Sequence, residues 1–253
     1  MANILDRYGI KEVADVSFFK LKTDGTRGDL VLYLDTLKVS TIEQTAENTS
    51  ARGGKGKPEI ISWDYGKEIT VTLEDALFSA KSMAVMFGNG TVSSSTSASV
   101  HKTLRLTATT SSNSLSAAFG SQITMGNKTY STPTTATVID ARTGDSATTY
   151  TAGSQYILSW DATASEASTI TITADSFPGT YYVVGDTYAR SEDSGEAEFF
   201  QFIIPKAKVT AENTITLEAE GDPSVFNLNL RVLRPSDGEM MKLVKYSLPK
   251  AGS

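Results

Sequence analysis

The segment GDLVLYLDTLKVS, residues 28–40, combines two patterns that are both typical of extended chain. The run Leu30–Leu34 is apolar at every position, which predicts a strand that is buried on both faces. Residues 37–40 then alternate between apolar and polar side chains, which predicts a strand with one exposed face. We therefore predict a strand over Leu30–Val39 and a protein built mainly from β-structure.

The flanking sequence extends the same pattern in both directions. Before the segment, Val13–Leu21 alternates in part and predicts another strand, and the turn-prone residues 23–26 separate the two. After it, Ile60–Tyr65 and Lys67–Val71 predict extended chain on either side of Gly66.

One amphipathic pattern interrupts these strands. Apolar residues from Leu73 to Phe87 recur at intervals of three and four, as on one face of a helix. Thr72 and Asp75 fit the spacing of a capping box, and Gly88 fits a C-cap. We predict one flanking α-helix over about residues 73–87, with its Met and Phe side chains packed against a sheet rather than around a cofactor.

The length and composition are those of a globular protein. The 253 residues are 40% hydrophobic and 21% charged, which is enough for one large or two small domains. The sequence has no cysteine, so disulfides and a thiol nucleophile are excluded. The N-terminal residues lack a signal-peptide pattern, and we expect folding in a reducing cytoplasm and no membrane association.

The composition changes between residues 91 and 165. From Thr91 to Ser116, 15 of 26 residues are Ser or Thr, and short β-type segments such as Tyr156–Leu158 follow. We predict a single domain over residues 1–253, in which residues 91–165 form an inserted β hairpin or subdomain.

The sequence contains few residues that could form a catalytic site. His101 is the only histidine, so a catalytic triad or a histidine metal site would have to be built around it, and a solvent-exposed side chain is the simpler interpretation. Glu218, Glu220 and Asp222 would share one face of a strand, where they could do acid–base chemistry or form a solvated or channel-lining acidic stripe. We expect no enzyme activity, no catalytic residues, no cofactor and no metal.

A glycine-rich basic segment, TAENTSARGGKGKPEIISWDYG, occupies residues 45–66. Its glycines and lysines suggest a phosphate-binding loop, but the spacing is wrong, because Gly53–Lys57 leads into Pro58 and extended chain instead of a helix. A solvated mobile loop is the simpler interpretation.

The negative charge is concentrated in one part of the chain. Residues 161–230 hold 12 acidic and three basic residues, within a chain of net charge −6. This part of the protein is therefore unsuited to gripping nucleic acid, since phosphate contacts require Lys and Arg.

Several stretches together resemble the tail tube proteins of long-tailed bacteriophages, with contractile or non-contractile tails. They cover most of the chain apart from about residues 91–165, and they are YGIKEVADVSFF (8–19), ISWDYGKEITVTLEDALFSAKSM (61–83), DSFPGTYYVVGDTYAR (175–190), FFQFIIPKAKV (199–209) and LEAEGDPSVFNLNLRVLRPSDGEMMKLVKY (217–246). The resemblance implies a β-sandwich with one flanking helix, and homohexameric rings that stack into a hollow tube through which DNA is ejected.

The resemblance also implies partners and a place in the virion. The protein would be a structural component of the virion tail, assembled in the host bacterial cytoplasm, and would contact itself, the tape-measure protein, the baseplate and tail terminator proteins, and a sheath protein if the tail contracts. Double-stranded DNA would pass through without specific binding. The segment 91–165 departs from the resemblance and could be an outward-facing decoration.

The resemblance gives the glycine-rich segment a role, because tail tube proteins stack through a long loop between early strands. Arg52, Lys55 and Lys57 could meet the acidic surface of residues 161–230. The expected inter-ring contact residues are Thr45, Asn48, Ser50, Arg52, Gly53, Gly54, Lys55 and Lys57. The expected lumen-facing residues are Glu218, Glu220 and Asp222.

Three other functions remain open from the sequence. A phage baseplate or adhesin domain would share the Thr-rich β character, a secretion-tube ring protein would share the fold, and a carbohydrate-acting enzyme could use the acidic residues.

Overall fold

The computed structural model describes residues 7–77, 79–88, 91–192, 197–212, 215 and 225–248. The chain divides into two compact units, and each is considered by itself. Unit 1 consists of Met1–Val92 and Ile170–Ser253, and unit 2 consists of Ser93–Thr169.

The described residues form sixteen strands and two helices. The strands of unit 1 are β1 (Tyr8–Ile10), β2 (Asp15–Leu21), β3 (Arg27–Leu34), β4 (Leu37–Arg52), β5 (Glu59–Asp75), β13 (Thr180–Ser191), β14 (Ala197–Val209), β15 (Phe226–Val232) and β16 (Lys242–Tyr246). Unit 2 contains β6 (Ser93–Ser95), β7 (Ala98–Thr107), β8 (Gln122–Met125), β9 (Lys128–Ser131), β10 (Thr137–Asp140), β11 (Gln155–Ala164) and β12 (Ala167–Thr169). The helices are α1 (Ala80–Phe87) in unit 1 and α2 (Leu115–Phe119) in unit 2.

Unit 1 is built around one nine-stranded antiparallel sheet, which confirms the mainly β prediction. Its order is β3-β2-β13-β14-β15-β5-β4, with β1 also paired to β13 and β16 also paired to β14. The sheet ends at β3 on one side and at β4 on the other.

Strand β14 changes its partner at Pro205. Residues before the proline pair with β16, whereas Ala207–Val209 pair with β15. The register with β13 also shifts at this point, between Tyr181 and Val183, so that β14 carries one extra residue. Proline has no backbone N–H to donate, so it is tolerated at such a bulge, and the bulge bends the strand.

Alternate residues of the sheet strands supply the core of unit 1. Val16, Phe18, Val71 and Leu73 are completely buried, and α1 adds Val85 and Met86 to the same cluster. Each of these side chains stabilises the fold by roughly 1.5–3 kcal/mol relative to an exposed position.

Helix α1 begins later than the sequence predicts. The bounds 73–87 are wrong at the N-terminal end, because β5 runs to Asp75 with Leu73 and Asp75 buried on its core face. The helix is capped by Ser79, whose side chain accepts a hydrogen bond from the Ser82 N–H at 3.0 Å. The predicted C-cap is correct, since Gly88 lies in the left-handed region at φ +85°.

The strand predicted over Leu30–Val39 is two strands, β3 and β4, separated by residues 35 and 36. Leu32 is buried at 5% exposure, but Leu30 is 57% exposed and Tyr33 is 50% exposed. The prediction of burial on both faces is therefore wrong, because β3 is an end strand with only one face on the core.

Unit 2 has its own small core. It contains the three-stranded sheet β10-β11-β7 and two separate two-stranded sheets, β8-β9 and β12-β6. The rings of Phe119, Tyr150 and Tyr156 lie 5.2–5.9 Å apart between centroids, and they pack with the fully buried Leu158. Among the described helices, neither is long and apolar enough to cross a lipid bilayer.

Candidate assembly surface

The glycine-rich basic segment is the tip of a long β hairpin. Strands β4 and β5 pair from Leu37 and Asp75 at the base to Arg52 and Glu59 next to the tip. The segment is therefore a hairpin and not a loop, because long-range pairing continues where the local composition is polar. Its exposure agrees with the interpretation of a solvated segment, and its mobility stays a prediction. Of the expected inter-ring contact residues, four are strand residues and four lie in the tip; the strand residues are Thr45, Asn48, Ser50 and Arg52, and the tip residues are Gly53, Gly54, Lys55 and Lys57.

The tip is a tight turn whose geometry needs its glycines. The Gly53 N–H donates to the Pro58 carbonyl at 3.2 Å, and the Lys57 N–H donates to the Gly54 carbonyl at 3.1 Å. Gly54 and Gly56 have φ values of +81° and +91°, which side chains other than glycine rarely adopt. These glycines shape the turn, so no phosphate-binding role is needed to explain them.

Residues 43–68 form a two-stranded arm. Within this range only Ser50 and Gly53 are half-buried, and all other residues are exposed. A two-stranded ribbon without a covered face is only marginally stable in water by itself. The arm therefore has the character of a segment that is completed by contact with another surface.

One face of the arm is apolar. Ile61, Trp63 and Tyr65 follow each other at intervals of two, so they share a face, and each is at least 50% exposed. Their cross-strand partners on the same face are Ala51, Thr49 and Glu47, whereas the opposite face carries Ser50, Ser62, Asn48 and Asp64.

A bulge at Gly66 determines which way this apolar face points. Odd-numbered residues of β5 from Ile69 to Asp75 face the core. Between the pairs Thr45–Glu68 and Glu47–Tyr65, β5 has one more residue than β4, and Gly66 there has a φ of +63°. Because of the extra residue, the odd-numbered side chains between the bulge and the tip, Ile61, Trp63 and Tyr65, lie on the face opposite the core.

The outer face of strands β2, β3, β13 and β14 forms a half-open acidic groove of about 300 Å³. Carboxylates lie at its centre and aromatic rings form its walls. It is lined by Asp15, Ser17, Phe19, Tyr33, Val184, Asp186, Thr187, Tyr188, Phe199 and Gln201.

Two carboxylates face each other across the floor of the acidic groove. Asp15 on β2 is the direct cross-strand partner of Asp186 on β13. Tyr33 donates its hydroxyl proton to Asp15 Oδ2 at 3.1 Å, and Tyr246 donates to Asp186 Oδ2 at 2.6 Å. Gln201 Nε2 also donates to Asp186 Oδ2, at 3.3 Å, while Asp186 Oδ1 is shielded from solvent and has no hydrogen-bond partner.

The groove carboxylates affect the tyrosines that contact them. Burial, followed by the hydrogen bond to Asp186, raises the pKa of Tyr246 to about 12. The hydrogen bond to Asp15 is the main cause that raises the pKa of Tyr33, with smaller effects from burial and from the charges of Asp35 and Asp186. Both tyrosines therefore remain neutral hydrogen-bond donors at neutral pH.

His101 takes part in a hydrogen-bonded chain in unit 2 that the sequence does not reveal. Its Nδ1 lies 2.8 Å from Asp161 Oδ1, and its Nε2 lies 2.8 Å from Ser159 Oγ. The order Ser–His–Asp matches a catalytic triad, but the side chains of His101 and Asp161 are 63% and 73% exposed. Only the register of β7 against β11, which pairs His101 with Asp161, brings these residues together.

The three expected lumen residues, Glu218, Glu220 and Asp222, lie outside the described residues. The structure therefore provides no geometry for an acidic strand face at these positions.

The comparison with protein families gave a match that covers most of the chain. Comparison with curated proteins gave no match. The model of the YomU/Tube protein family matches residues 8–245, a range that includes the arm, the acidic groove and all of unit 2. The chain therefore belongs to the YomU/Tube protein family, a family of phage tail tube proteins.

Proposed function

We propose that copies of this chain form six-membered rings, and that the rings stack into a tail tube through which double-stranded DNA is delivered to the host. The family membership supports this function, and the arm is the structural observation that carries it. Its apolar face exposes Ile61, Trp63 and Tyr65, and no part of the described chain covers them.

Ring formation is supported by the two ends of the unit 1 sheet. Strand β3 pairs only with β2, and β4 pairs only with β5, among the described residues. An end strand presents unpaired N–H and C=O groups, and pairing between neighbouring copies removes them. Opposite ends of the same sheet differ in sequence, so such contacts are head-to-tail and close into a ring when the rotation allows it.

Stacking is supported by the reach of the arm. The eight residues from Thr45 to Arg52 span about 25 Å at roughly 3.3 Å per residue, so the tip lies well beyond the part of the sheet that is covered by the core. The inter-ring contact residues remain those expected from the sequence, with the apolar face of the arm added to them.

The rest of the proposal follows from the family. The protein would sit in the virion tail after assembly in the bacterial cytoplasm, in contact with the tape-measure, baseplate and tail terminator proteins, and with a sheath protein if the tail contracts. Some of the carboxylates between residues 161 and 230, with Glu218, Glu220 and Asp222 as the leading candidates, would give the lumen a negative wall that repels the DNA backbone. Residues 91–165 could decorate the outside of the tube, and the chain would have no enzyme activity.

Electron microscopy of the purified full-length chain tests this function. Long hollow tubes with six subunits per ring are expected. Isolated rings would favour a secretion-tube-like protein, and monomers at micromolar concentration would favour an adhesin, a baseplate domain or an enzyme.

Variants of the arm test its role in the same assay. Deletion of residues 53–57, or the double change Trp63→Ser and Tyr65→Ser, should leave the circular dichroism of the subunit unchanged and stop stacking. Tyr130→Ser is the matched control, because Tyr130 is a 45% exposed aromatic residue in unit 2. Normal tubes from both arm variants would contradict the proposed role of the arm.

A further inference from the structure

We propose that the acidic groove is the binding site for the cationic tip of the arm from a second copy of this chain. The inference rests on the proposed stacked assembly, and it assigns one specific contact within that assembly: Lys55 and Lys57 of one copy enter the groove that contains Asp15 and Asp186 of another.

The acidic groove has the chemistry of a site for an organic cation. Like charges directly opposite each other in a sheet destabilise it, and Asp15 and Asp186 occupy such a pair. In the described part of the chain, neither carboxylate forms an ion pair with a basic residue, and Asp186 Oδ1 accepts no hydrogen bond. A cation in the groove would relieve this repulsion.

The walls of the groove favour an ammonium or guanidinium group. Tyr33 and Tyr188 are 50% and 55% exposed, and the rings of Tyr188 and Phe199 lie 5.4 Å apart. Aromatic faces attract such cations, and one wall already does so within the chain, because the Arg27 guanidinium lies 4.9 Å from the centre of the Phe19 ring. Two carboxylates provide fewer oxygen ligands than a protein cage for a divalent metal needs.

The tip of the arm has the complementary charge. Arg52 forms an ion pair with Glu59 at 3.6 Å. Lys55 and Lys57 are exposed, and neither makes an ion pair within the described residues. Gly53, Gly54 and Gly56 surround them, so few side chains would obstruct insertion of the tip into a concave surface.

The topology makes this a contact between copies. The acidic groove lies on β3, β2, β13 and β14, whereas the arm continues β5 and β4 at the other end of the sheet order, with β15 between them. A contact is heterologous when one surface of a copy binds a different surface of another copy. Such contacts extend into a filament unless they close into a ring. The groove and the tip thus supply the two unlike surfaces that head-to-tail growth requires.

Charge reversal on each side provides the test. Asp15→Lys reverses the charge of an exposed groove residue, and the double change Lys55→Glu and Lys57→Glu reverses the tip. Each should raise the critical concentration for tube assembly at least about tenfold, since close interfacial charge pairs commonly contribute that much. The chain that carries all three changes should recover to within about threefold of the wild-type value.

One control variant and one further groove variant separate the specific contact from general effects of charge. Lys128→Glu changes an exposed lysine of unit 2 and should leave the critical concentration unchanged. Asp186→Asn keeps the shape of the groove and removes one charge, so it should weaken assembly in the same direction as Asp15→Lys, with an unchanged circular dichroism spectrum.

The outcomes distinguish this contact from the function on which it rests. If the wild-type chain forms no rings or tubes, the proposed function fails. If wild-type tubes form and either single-side reversal leaves the critical concentration unchanged, the tip does not bind the groove. Failure of the combined variant to recover would also overturn the contact, and the tube function would stand in both cases.

Discussion

Gly185 lies directly against the ring of Phe202 on the neighbouring strand, so closely that a Cβ atom at residue 185 would come within 2.0 Å of Phe202 Cζ. Phe202 is only 3% exposed and has little room to move. Gly185→Ala should therefore lower the free energy of unfolding by about 1–3 kcal/mol, the usual cost of overpacking a core.

Chemical denaturation of the two proteins measures this difference. Gly9→Ala is the control, because a Cβ at residue 9 would meet no atom within 4 Å. Adding Phe202→Leu to Gly185→Ala should restore part of the lost stability. Equal stability of Gly185→Ala and the wild-type chain would show that the ring moves aside at no cost.

Ser79 should matter more for stability than its exposed position suggests. Its hydroxyl oxygen accepts from the Ser82 N–H, and the Ser79 N–H donates to Ser82 Oγ at 2.8 Å, so the first turn of α1 is capped in both directions. Ser79→Ala should cost about 0.5–2 kcal/mol of unfolding free energy, and Ser79→Asp should retain most of it because Asp also supplies an acceptor. Thermal unfolding followed by circular dichroism checks the order of the three proteins.

Tyr246 should make the stability of the chain sensitive to alkaline pH. Burial and the hydrogen bond to Asp186 raise its pKa to about 12, above the ordinary value of 10.0. The neutral phenol is therefore favoured in the folded state, so its contribution is complete below about pH 10 and disappears as the pH rises toward 12.

The comparison with Tyr246→Phe isolates this effect. The free energy of unfolding should be higher for the wild-type chain up to about pH 10, and the difference should shrink as Tyr246 ionises. A difference that stays constant to pH 12 would contradict the assigned pKa. Ultraviolet titration of Asp186→Asn should show this tyrosine ionising at a lower pH than in the wild-type chain.

The hydrogen-bonded side chains of Ser159, His101 and Asp161 should not act as a hydrolytic triad. A serine nucleophile needs groups that stabilise the oxyanion and a site that excludes water, whereas His101 is 63% exposed on an open sheet face. The wild-type protein and Ser159→Ala should hydrolyse p-nitrophenyl acetate at the same rate. Covalent labelling of Ser159 by a fluorophosphonate, absent in His101→Ala, would establish a nucleophile and contradict this expectation.

The sequence predicted the β class because alternation and turn residues are local properties. The same local reasoning failed at residues 73–87, where Leu73 fits the apolar spacing of a helix and Asp75 fits a capping box by coincidence. Both residues also fit the two-residue period of β5. Cross-strand pairing with Phe226 and Leu228 on β15 favours the strand there, and partners that are 151 and 155 residues away leave no signal in the local pattern.

The candidate site was predictable in part for the same reason. The glycine-rich segment stood out by composition, and its position between early strands matched a stacking element of the resembled family. The acidic groove was missed because Asp15, Tyr33 and Asp186 are far apart in sequence, and only the registers of β2 against β3 and β13 bring them together. The apolar face of the arm was also missed, because the local pattern around Trp63 does not show that this part of β5 lies beyond the covered part of the sheet.

Because of the bulge, the single residue Gly66 determines which face of the arm is apolar. A substitution such as Gly66→Val, which disfavours the positive φ at this position, would leave every other residue of the arm unchanged, yet pairing without the bulge would shift the part of β5 toward the tip by one residue against β4. Ile61, Trp63 and Tyr65 would then exchange sides with Ser62 and Asp64. A single substitution at residue 66 could therefore give a subunit whose arm keeps all its other residues but presents the opposite face to wild-type copies.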